Sequence, residues 1–390
     1  MSTTSGTGAT AEATWRDPKR YLWLLGLIVP LFPFLAWAAV EATGWGIFWW
    51  SGIILLYVIF PVIDLVIGKD SENPPEAALA WLEQDRYYRW CTFAYLPVQY
   101  GGLVFGCWLL TNGDLSFVDK LAVATTLGGV AGIGINTAHE LGHKKESVER
   151  WLSKIGLAQT CYGHFFIEHN RGHHVRVATP EDPASARLGE SFWAFWPRTV
   201  RGSLSSAWGL ERKRMERLGK SPWSLRNDVL NSWLMSLVLF GALTVAFGPE
   251  LLPWLLYQAV FGFTLLEVIN YTEHYGLLRR RTESGRYERC APRHSWNSDN
   301  LATNVFLYHL QRHSDHHANP TRRYQALRHF EEAPELPTGY AGMIVLAYFP
   351  PLWRRVMDHR VIAHYDGDVR RANIHPSKRE ALLARYGSAV

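Results

Sequence analysis

Residues 115–143 read LSFVDKLAVATTLGGVAGIGINTAHELGH. Between residues 121 and 138 the stretch contains no charged residue, and His139, Glu140 and His143 follow directly. An α-helix needs about 20 apolar residues to cross the hydrocarbon core of a bilayer. Residues 115–138 are therefore predicted to form a transmembrane helix that carries two histidines to one membrane surface.

Five other stretches have a similar length and apolar character, which predicts a bundle of transmembrane helices. The predicted spans are residues 21–43, 45–67, 90–110, 115–138, 229–247 and 251–271. Charged residues make up 19 % of the 390 residues, below the roughly 25 % of a typical soluble protein. Buried helices of a large soluble protein are the alternative, and the scarcity of charges argues against it. The predicted fold class is all-α integral membrane, with six transmembrane helices.

Lysine and arginine are concentrated on one side of these predicted helices. They precede the first helix and follow the fourth and the sixth, whereas the connectors 40–46, 111–116 and 248–250 contain none. The positive-inside rule then places both termini and the long polar segments in the cytoplasm. The predicted organisation is a disordered cytoplasmic tail (1–20), helices one to four (21–138), a first cap segment (139–228), helices five and six (229–272) and a second cap segment (273–390).

Cysteine spacing and net charge exclude several kinds of site. The four cysteines lie far apart and form no CxxC pair, so no disulfide framework or thiolate metal site is encoded. The net charge of +5 gives no case for nucleic acid and suits basic loops that face anionic membrane lipid. No Gly-rich phosphate loop that would bind a nucleotide is present.

Histidine is the informative residue type. Most of the 16 histidines fall in the segments HELGH (139–143), EHNRGHH (168–174), NYTEHYG (270–276) and LQRHSDHH (310–317). The candidate metal ligands are His139, His143, His169, His173, His174, His274, His313, His316 and His317. A single metal has about four to six coordination positions, so nine imidazoles predict two metals.

Helical spacing predicts which of these rings face the same way. Residues i and i+3 or i+4 lie on one face of a helix. His139 is therefore expected to point with His143, and His169 with His173. By the same reasoning His313 is expected to point with both His316 and His317.

HELGH also fits the HExxH pattern, in which two histidines bind zinc and Glu140 acts as the general base of a metalloprotease. That interpretation leaves the other clustered histidines unexplained. A metal transporter or sensor is a second alternative, but its ligands should face one another within the membrane path. His164, His294 and His309 lie near the clusters and are either ordinary polar residues or supports for the ligands. His329, His359, His364 and His375 are interpreted as ordinary polar residues.

Four carboxylates neighbour the candidate ligands and are predicted to orient them. A ligating histidine usually donates its second N–H to a carboxylate or a carbonyl. The candidates are Glu140, Glu168, Glu273 and Asp315. Each of them is otherwise a solvated surface acid.

A path for the substrate is predicted beneath the histidines, along two helix faces. Counting back by helical turns from His139 and from His274 gives Gly128, Gly132, Ile135, Phe263, Leu266, Glu267 and Asn270. Close helix packing is the alternative role for the two glycines. Glu267, like Asp64, is either functional or a structural carboxylate whose hydrogen bonds are satisfied.

The segments HELGHK, EHNRGHHVRVATPEDPASAR, NYTEHYGL and LQRHSDHHANPTRRYQ together closely resemble the alkane 1-monooxygenases. This family belongs to the histidine-rich membrane di-iron superfamily, which includes the fatty acid desaturases. The resemblance implies that the nine histidines bind two non-haem Fe ions which react with O2, without haem, flavin or bound nicotinamide. It implies terminal hydroxylation of medium-chain n-alkanes to primary alcohols in a bacterial inner membrane. A fatty acyl desaturase and a xylene-type hydroxylase are the alternatives within the superfamily.

The resemblance also implies partners. The n-alkane would come from the bilayer, and electrons would come from NADH through a reductase and rubredoxin. Rubredoxin holds its iron in paired CxxC motifs, which this chain lacks, so a separate carrier is expected to dock. Candidate docking residues on the basic cap are Arg171, Arg176, Arg187, Lys213, Arg322 and Arg323, unless these simply face anionic lipid.

Overall fold

The computed structural model describes residues 15–387, and this part of the chain is helical apart from isolated bridges. The principal helices are α1 (Leu22–Thr43), α2 (Gly46–Ile67), α3 (Glu76–Gln84), α4 (Arg86–Asn112), α5 (Phe117–Gly142), α6 (Ser147–Ala158), α7 (165–176), α8 (Phe192–Arg217), α9 (Asp228–Phe247), α10 (Pro249–His274), α11 (Leu301–Phe306), α12 (His313–Ala318), α13 (Tyr340–Ala347), α14 (Pro350–His364) and α15 (Arg379–Tyr386).

Six of the described helices are long and apolar enough to cross a membrane, as predicted: α1, α2, α4, α5, α9 and α10. Their outer faces expose large apolar side chains, among them Val58 and Leu65 of α2 and Val245 of α9. Such surfaces are favourable against lipid and unfavourable against water. The chain is therefore an integral membrane protein.

The ends of the spans follow local chemistry. The Ser116 side chain caps α5 by accepting from the Asp119 amide at 3.2 Å. The predicted fourth helix ended at residue 138, where charged residues begin, but α5 continues to Gly142. In the last turn of α5, Glu140 forms a buried ion pair with Lys144 at 2.9 Å, so the buried carboxylate is not left unpaired.

Helix α5 lies at the centre of the bundle and packs tightly against α10. A Cβ atom on Gly132 would lie 2.7 Å from the Gly262 carbonyl oxygen, and one on Gly128 would lie 2.9 Å from the Gln258 carbonyl oxygen. Small residues allow such close approach between membrane helices. Gly128 therefore serves close helix packing, which was the alternative to a place on the substrate path.

The polar segments form one body at the end of the bundle that carries His139 and His274. Arg279 donates to the carbonyl oxygens of Val175 and Val177, which ties the second polar segment to the first. The Leu188 amide donates to the Asn373 carbonyl oxygen at 2.7 Å and adds a second link.

The disordered tail was predicted to extend to residue 20, which is too far along the chain. Residues 1–14 lie outside the described part of the chain. Lys19 pairs with Asp70 at 2.5 Å, and Arg20 pairs with Asp85 at 2.5 Å. These ion pairs order the last residues of the predicted tail against the loop and helix that follow α2.

Candidate metal centre

The nine histidines come together as two groups beneath the cap. The first group is His139, His143, His169, His174 and His316. The second group is His173, His274, His313 and His317. In each group one ring nitrogen per residue lies within 4.8 Å of all the others. The grouping fits two metal ions, one held by five imidazoles and one by four.

The Nε2 atoms point inward in both groups. In the first group His139 Nε2 lies 2.8 Å from His169 Nε2 and 3.0 Å from His316 Nε2. In the second, His317 Nε2 lies 2.9 Å from His313 Nε2 and 3.2 Å from His173 Nε2. Neighbouring nitrogens on one metal, each bound at about 2.1 Å, are about 3 Å apart in a square or octahedral arrangement.

Unpaired nitrogens support the same conclusion. His143 Nε2 and His274 Nε2 are buried and have no hydrogen-bond partner among residues 15–387. Buried polar atoms are normally satisfied, so an unpaired ring nitrogen aimed into a cluster calls for a cation. Five imidazoles also exceed the four ligands of a tetrahedral zinc site.

Burial keeps the imidazoles outside the spans neutral. It lowers the pKa of His143, His169 and His174 far below the usual value for histidine. The same cause lowers the pKa of His316 and His317. A metal binds the neutral ring through its free lone pair, so these rings are ready to act as ligands near neutral pH.

The segment EHNRGHH (168–174) lies on an irregular helix, α7, which runs through Phe165–Glu168, His169–His173 and His174–Arg176. The middle part is a π-helix, in which the backbone repeats from i to i+5. His169 and His174 therefore share the first group, with their Nε2 atoms 3.0 Å apart. The expectation that His169 points with His173 was wrong, because it assumed an α-helical turn.

Helix α12 also serves both groups. His313 and His317 lie one helical turn apart in the second group, as predicted. His316 turns away to the first group, where its Nε2 lies 3.2 Å from His174 Nε2. The expectation that His313 points with His316 was wrong. His316 and His317 are consecutive, so their side chains diverge by about 100° around the helix, and only His317 shares the direction of His313.

A carboxylate that the sequence did not single out orients one ring. His173 Nδ1 donates to Asp182 at 2.8 Å, and Ser185 donates to the same oxygen at 2.6 Å. Burial raises the pKa of Asp182, but the His173 ring and Ser185 more than offset that effect and lower the pKa to about 2. Asp182 lies nine positions beyond His173 in a loop, where helical spacing gives no signal.

Glu273 alone among the four predicted carboxylates contacts a clustered histidine in the described residues. Its Oε2 lies 3.1 Å from His313 Nε2, on the side where the nitrogens converge, and Tyr340 donates to its Oε1 at 3.0 Å. Glu273 therefore contacts His313 at the nitrogen that faces the second group, and the predicted orienting contact with the other ring nitrogen is not what the structure shows.

The orienting role expected of the other three carboxylates is not what the described chain shows. Glu140 pairs with Lys144, Glu168 with Arg176 and Asp315 with Arg322, at 2.9, 2.6 and 2.7 Å. Each of these acids is buried, so a nearby cation is a stronger partner than a neutral ring.

The histidines outside the groups have other surroundings. His294 accepts from the Ala291 amide, and its carbonyl oxygen accepts from His274 Nδ1 at 3.3 Å. His309 donates to the Tyr324 carbonyl oxygen at 2.9 Å. His164 is buried against Tyr162, with ring centroids 4.3 Å apart, and burial lowers the pKa of His164 to about 4. Among these three, His294 supports a clustered histidine.

An apolar cavity inside the bundle reaches both histidine groups. Its walls at the cap end include His139, His169, His313 and Glu273. The apolar part of the lining comes from Leu56, Phe60, Ile133, Phe165, Leu265, Leu266, Ile269, Leu307, Leu310, Ala341 and Ile344. Several of these residues lie on α2, α13 and the cap, so only the three-dimensional packing brings them together.

Three of the predicted substrate-path residues line this cavity: Gly132, Leu266 and Asn270. Phe263 instead stacks on Tyr162 at 4.8 Å. Glu267 accepts hydrogen bonds from Tyr162 at 2.6 Å and from Thr199 at 2.9 Å. It is therefore a structural carboxylate whose hydrogen bonds are satisfied. Ile135 is buried in an apolar cluster beside the cavity without lining it, and Gly128 packs closely against α10.

The fatty acid desaturase family profile matches residues 120–347, a region that contains all nine clustered histidines. The alkane 1-monooxygenase of Acinetobacter baylyi is 48 % identical over 374 residues, covering 95 % of this chain and 92 % of the relative. The chain belongs to the alkane 1-monooxygenase family. Alkane 1-monooxygenase 1 of Alcanivorax borkumensis is 47 % identical over 371 residues, with 95 % and 92 % coverage.

A more distant relative is the hydroxylase component of the xylene/toluene monooxygenase of Pseudomonas putida. It is 27 % identical over 365 residues, covering 91 % of this chain and 92 % of the relative. As a member of the alkane 1-monooxygenase family, the chain is an enzyme of this type. The resemblance found in its histidine motifs is thereby confirmed over nearly its whole length.

Proposed function

We propose that the enzyme hydroxylates the terminal carbon of medium-chain n-alkanes. The reaction consumes one alkane, O2, two electrons and two protons, and releases a primary alcohol and water. The observation that carries the proposal is the apolar cavity that meets both histidine groups, at His139, His169 and His313. The names of the relatives agree with this substrate class.

We propose non-haem iron as the metal in both groups. The first iron would be held by His139, His143, His169, His174 and His316, and the second by His173, His274, His313 and His317. Glu273 would contribute an anionic ligand to the second iron, a proposal supported by the 3.1 Å between its Oε2 and His313 Nε2. Bound iron would supply the redox chemistry that activates O2, a step for which amino-acid side chains have no equivalent.

The cavity residues position the substrate. Leu265, Ile269 and Leu310 present apolar walls that exclude water and hold the chain by contact alone. A terminal C–H bond is stronger than an internal one, so regioselectivity requires that only the methyl end reach the histidines. Gly132 also lines the cavity and lies two helical turns before His139, so the cavity wall extends about 10 Å along α5 from that histidine.

The electron donor is proposed to be rubredoxin, reduced from NADH by a reductase. Four of the candidate docking residues are engaged in internal ion pairs: Arg171, Arg176, Arg322 and Arg323. Arg187 and Lys213 line a surface groove that Asp182 also lines. Since Asp182 bonds to His173, this groove is a short route from the surface to the second histidine group.

We further propose that the cap and both termini face the cytoplasm of a bacterial inner membrane. The basic residues at the cap end of the spans support this orientation through the positive-inside rule. A cytoplasmic cap would also meet a reductant that derives its electrons from NADH. Labelling of an engineered cysteine at Glu283 by a membrane-impermeant reagent, in sealed right-side-out and inverted vesicles, tests the orientation.

The decisive experiment supplies the reconstituted chain with rubredoxin, its reductase, NADH and a series of n-alkanes. We expect primary alcohols, identified by mass spectrometry, and two irons per chain by elemental analysis. Double bonds formed in acyl chains would instead establish a desaturase, and ring-methyl oxidation without alkane oxidation would establish a xylene-type hydroxylase. A single zinc with no iron would overturn the proposal.

A further inference from the structure

Residues 340–364 form a helical hairpin that the functional site does not explain in full. Helices α13 and α14 are joined at Tyr348 and Phe349. The start of α13 contacts Glu273 through Tyr340, and the second half of α14 contacts Tyr275 through Asp358, so the two helices run in opposite directions. The α13 sequence, YAGMIVLA, is apolar after its first residue. Eight residues are too few to cross a bilayer, so the hairpin can only enter one leaflet.

Contacts with the spans fix the depth of this hairpin. Tyr340 donates to Glu273, next to the last residue of α10, at 3.0 Å. The Tyr348 hydroxyl lies 3.1 Å from that of Tyr57, which stands ten residues before the end of α2. That separation corresponds to about 15 Å along the helix axis. The turn of the hairpin therefore lies within the depth of the membrane spans.

The turn presents apolar side chains outward at this depth. Phe349 is 57 % exposed and Leu352 is 49 % exposed. Trp193 stacks on Tyr348 with ring centroids 5.7 Å apart, and it too is largely exposed. Aromatic and aliphatic groups in such a position are favourable at the membrane interface and unfavourable in water.

Positive charges lie just above the turn. Arg354, Arg355 and Arg385 line a surface pocket together with Tyr386. Within residues 15–387 none of the three arginines has a carboxylate at ion-pairing distance, and all three are exposed. Asp358, on the same helix, is buried and accepts from Tyr275 at 2.8 Å instead. The pocket thus gathers three guanidinium groups that form no direct ion pair with a carboxylate of the described residues.

We propose that the hairpin inserts its turn into the lipid and that this arginine pocket binds the phosphate of an anionic phospholipid. Arg355 follows Phe349 by about 9 Å along the chain of α14, the depth over which an arginine reaches from acyl chains to headgroups. Guanidinium groups pair with phosphate through two parallel hydrogen bonds. A free phosphate ion would satisfy the charges but would leave Phe349 and Leu352 in water.

The lipid site has a consequence for the cavity, independent of the reaction assigned above. Ala341 and Ile344 of α13 form part of the cavity wall, and α14 is continuous with α13 through the turn. A phospholipid that holds α14 also holds this wall. The site is therefore a structural link between the surrounding bilayer and the apolar cavity.

Lipid titration of the full chain, followed by native mass spectrometry, tests the pocket. The probes are phosphatidylglycerol and phosphatidylcholine, and the variant is Arg354→Gln, Arg355→Gln, Arg385→Gln. We expect the variant to weaken phosphatidylglycerol binding about tenfold to a hundredfold, while a control of equal charge change stays within about twofold of wild type. That control is Arg217→Gln, Arg286→Gln, Arg289→Gln, three exposed arginines elsewhere.

Equal losses in both variants, or equal binding of the two lipids, would overturn the proposal. Displacement of phosphatidylglycerol by inorganic phosphate alone would identify a free-anion site and overturn it as well. Insertion is measured separately with a nitroxide at Phe349→Cys in nanodiscs. We expect O2 to relax this label and a water-soluble nickel chelate to be excluded, whereas a label at Glu283→Cys, on the exposed loop, should show the reverse. Nickel access at residue 349 equal to that at residue 283 would contradict insertion.

Discussion

The side chain of Asp182 determines which nitrogen of His173 is free for a metal. Because Nδ1–H donates to the carboxylate at 2.8 Å, the lone pair remains on Nε2, which faces the second histidine group. We expect Asp182→Asn to weaken iron binding about 10–100-fold, the range for loss of an orienting partner. Iron retained during dialysis against a chelator measures the effect. Glu181→Gln, at the exposed neighbouring residue, is the control, and an equal loss there would contradict the orienting role.

Removal of a ligand should be harsher than removal of its partner. His173→Ala leaves the second group with three imidazoles, so we expect less than two irons per chain and no alcohol production. His164→Ala is the matched control, because that ring is equally buried but lies in neither group. Elemental analysis and product formation are measured on both variants. Full turnover by His173→Ala with two irons retained would refute its assignment as a ligand.

The identity of the nine histidines was predictable, but their division between two groups was not. Clustering and spacing in the sequence are enough to select His139 or His317. The partition depends on a π-helix at His169–His173, and no propensity rule marks where an extra residue enters a helical turn. Asp182 was missed because a loop, rather than a helix, returns it to His173.

At the scale of elements, α13 sets one wall of the cavity. Ala341 and Ile344, about one helical turn apart on α13, both line the cavity together with Leu56 of α2. We expect Ile344→Phe to fill the cavity away from the histidines and to reduce turnover of the longest accepted alkane about tenfold, with the shorter alkanes affected less. Turnover across an alkane series measures the shift. Val345→Phe, next along the helix and outside the lining, should leave the profile unchanged, and a uniform loss across chain lengths would contradict the assignment.

Glu211 of α8 holds the segment EHNRGHH (168–174) in place through Arg171. It is fully buried and accepts from Arg171, Arg214 and the Asp228 amide. Burial raises the pKa of Glu211, but the hydrogen bonds from Arg214 and the Asp228 amide more than offset this, so the pKa lies below its usual value. A carboxyl with a lowered pKa stabilises the folded state above its unfolded pKa of about 4.3 and loses that contribution as the pH falls through the folded pKa.

We therefore expect Glu211→Gln to lower the free energy of unfolding by about 1–3 kcal/mol at neutral pH. Because the wild-type contribution disappears on protonation, the difference should shrink as the pH falls below about 4. Thermal unfolding of the purified chain at several pH values measures both effects. Glu216→Gln, at an exposed position on the same helix, serves as the control. A difference that grows toward acid pH would show that the carboxylate is not the stabilising form.

Long elements were predictable and short ones were not. The six spans follow from the length of the apolar stretches alone. A chain segment that crosses lipid makes all its backbone hydrogen bonds internally when it forms a helix. Helix α13 has the same apolar character over only eight residues, and its sequence does not distinguish a membrane-dipping turn from a core helix. The cavity walls at Leu56 and Leu310 come from distant parts of the chain. No local sequence pattern therefore predicts that these residues line one cavity.

In the molecule as a whole, two different features approach the histidine groups. The apolar cavity reaches the histidines from within the bundle, while a groove on the polar cap is lined by Asp182, whose carboxylate bonds to His173. Under the proposed function, this arrangement would give the hydrocarbon substrate and a water-soluble electron donor separate approaches. The donor would then have to dock without opening the cavity. The positively charged surface of the cap could attract such a donor.

We expect Lys213→Glu, in that groove, to raise the KM for rubredoxin about tenfold at low ionic strength and to leave kcat at saturating rubredoxin unchanged. Lys213 is exposed and the Debye length is about 10 Å at 0.1 M salt, so wild type and variant should converge as salt screens the attraction. NADH oxidation coupled to alcohol formation, measured over a range of ionic strength, follows both quantities. Arg286→Glu makes the same change of charge outside the groove and controls for the net field of the cap. If both variants raise the KM equally, attraction is spread over the whole basic face; if neither does, the donor docks elsewhere and the groove beside Asp182 is not its route to His173.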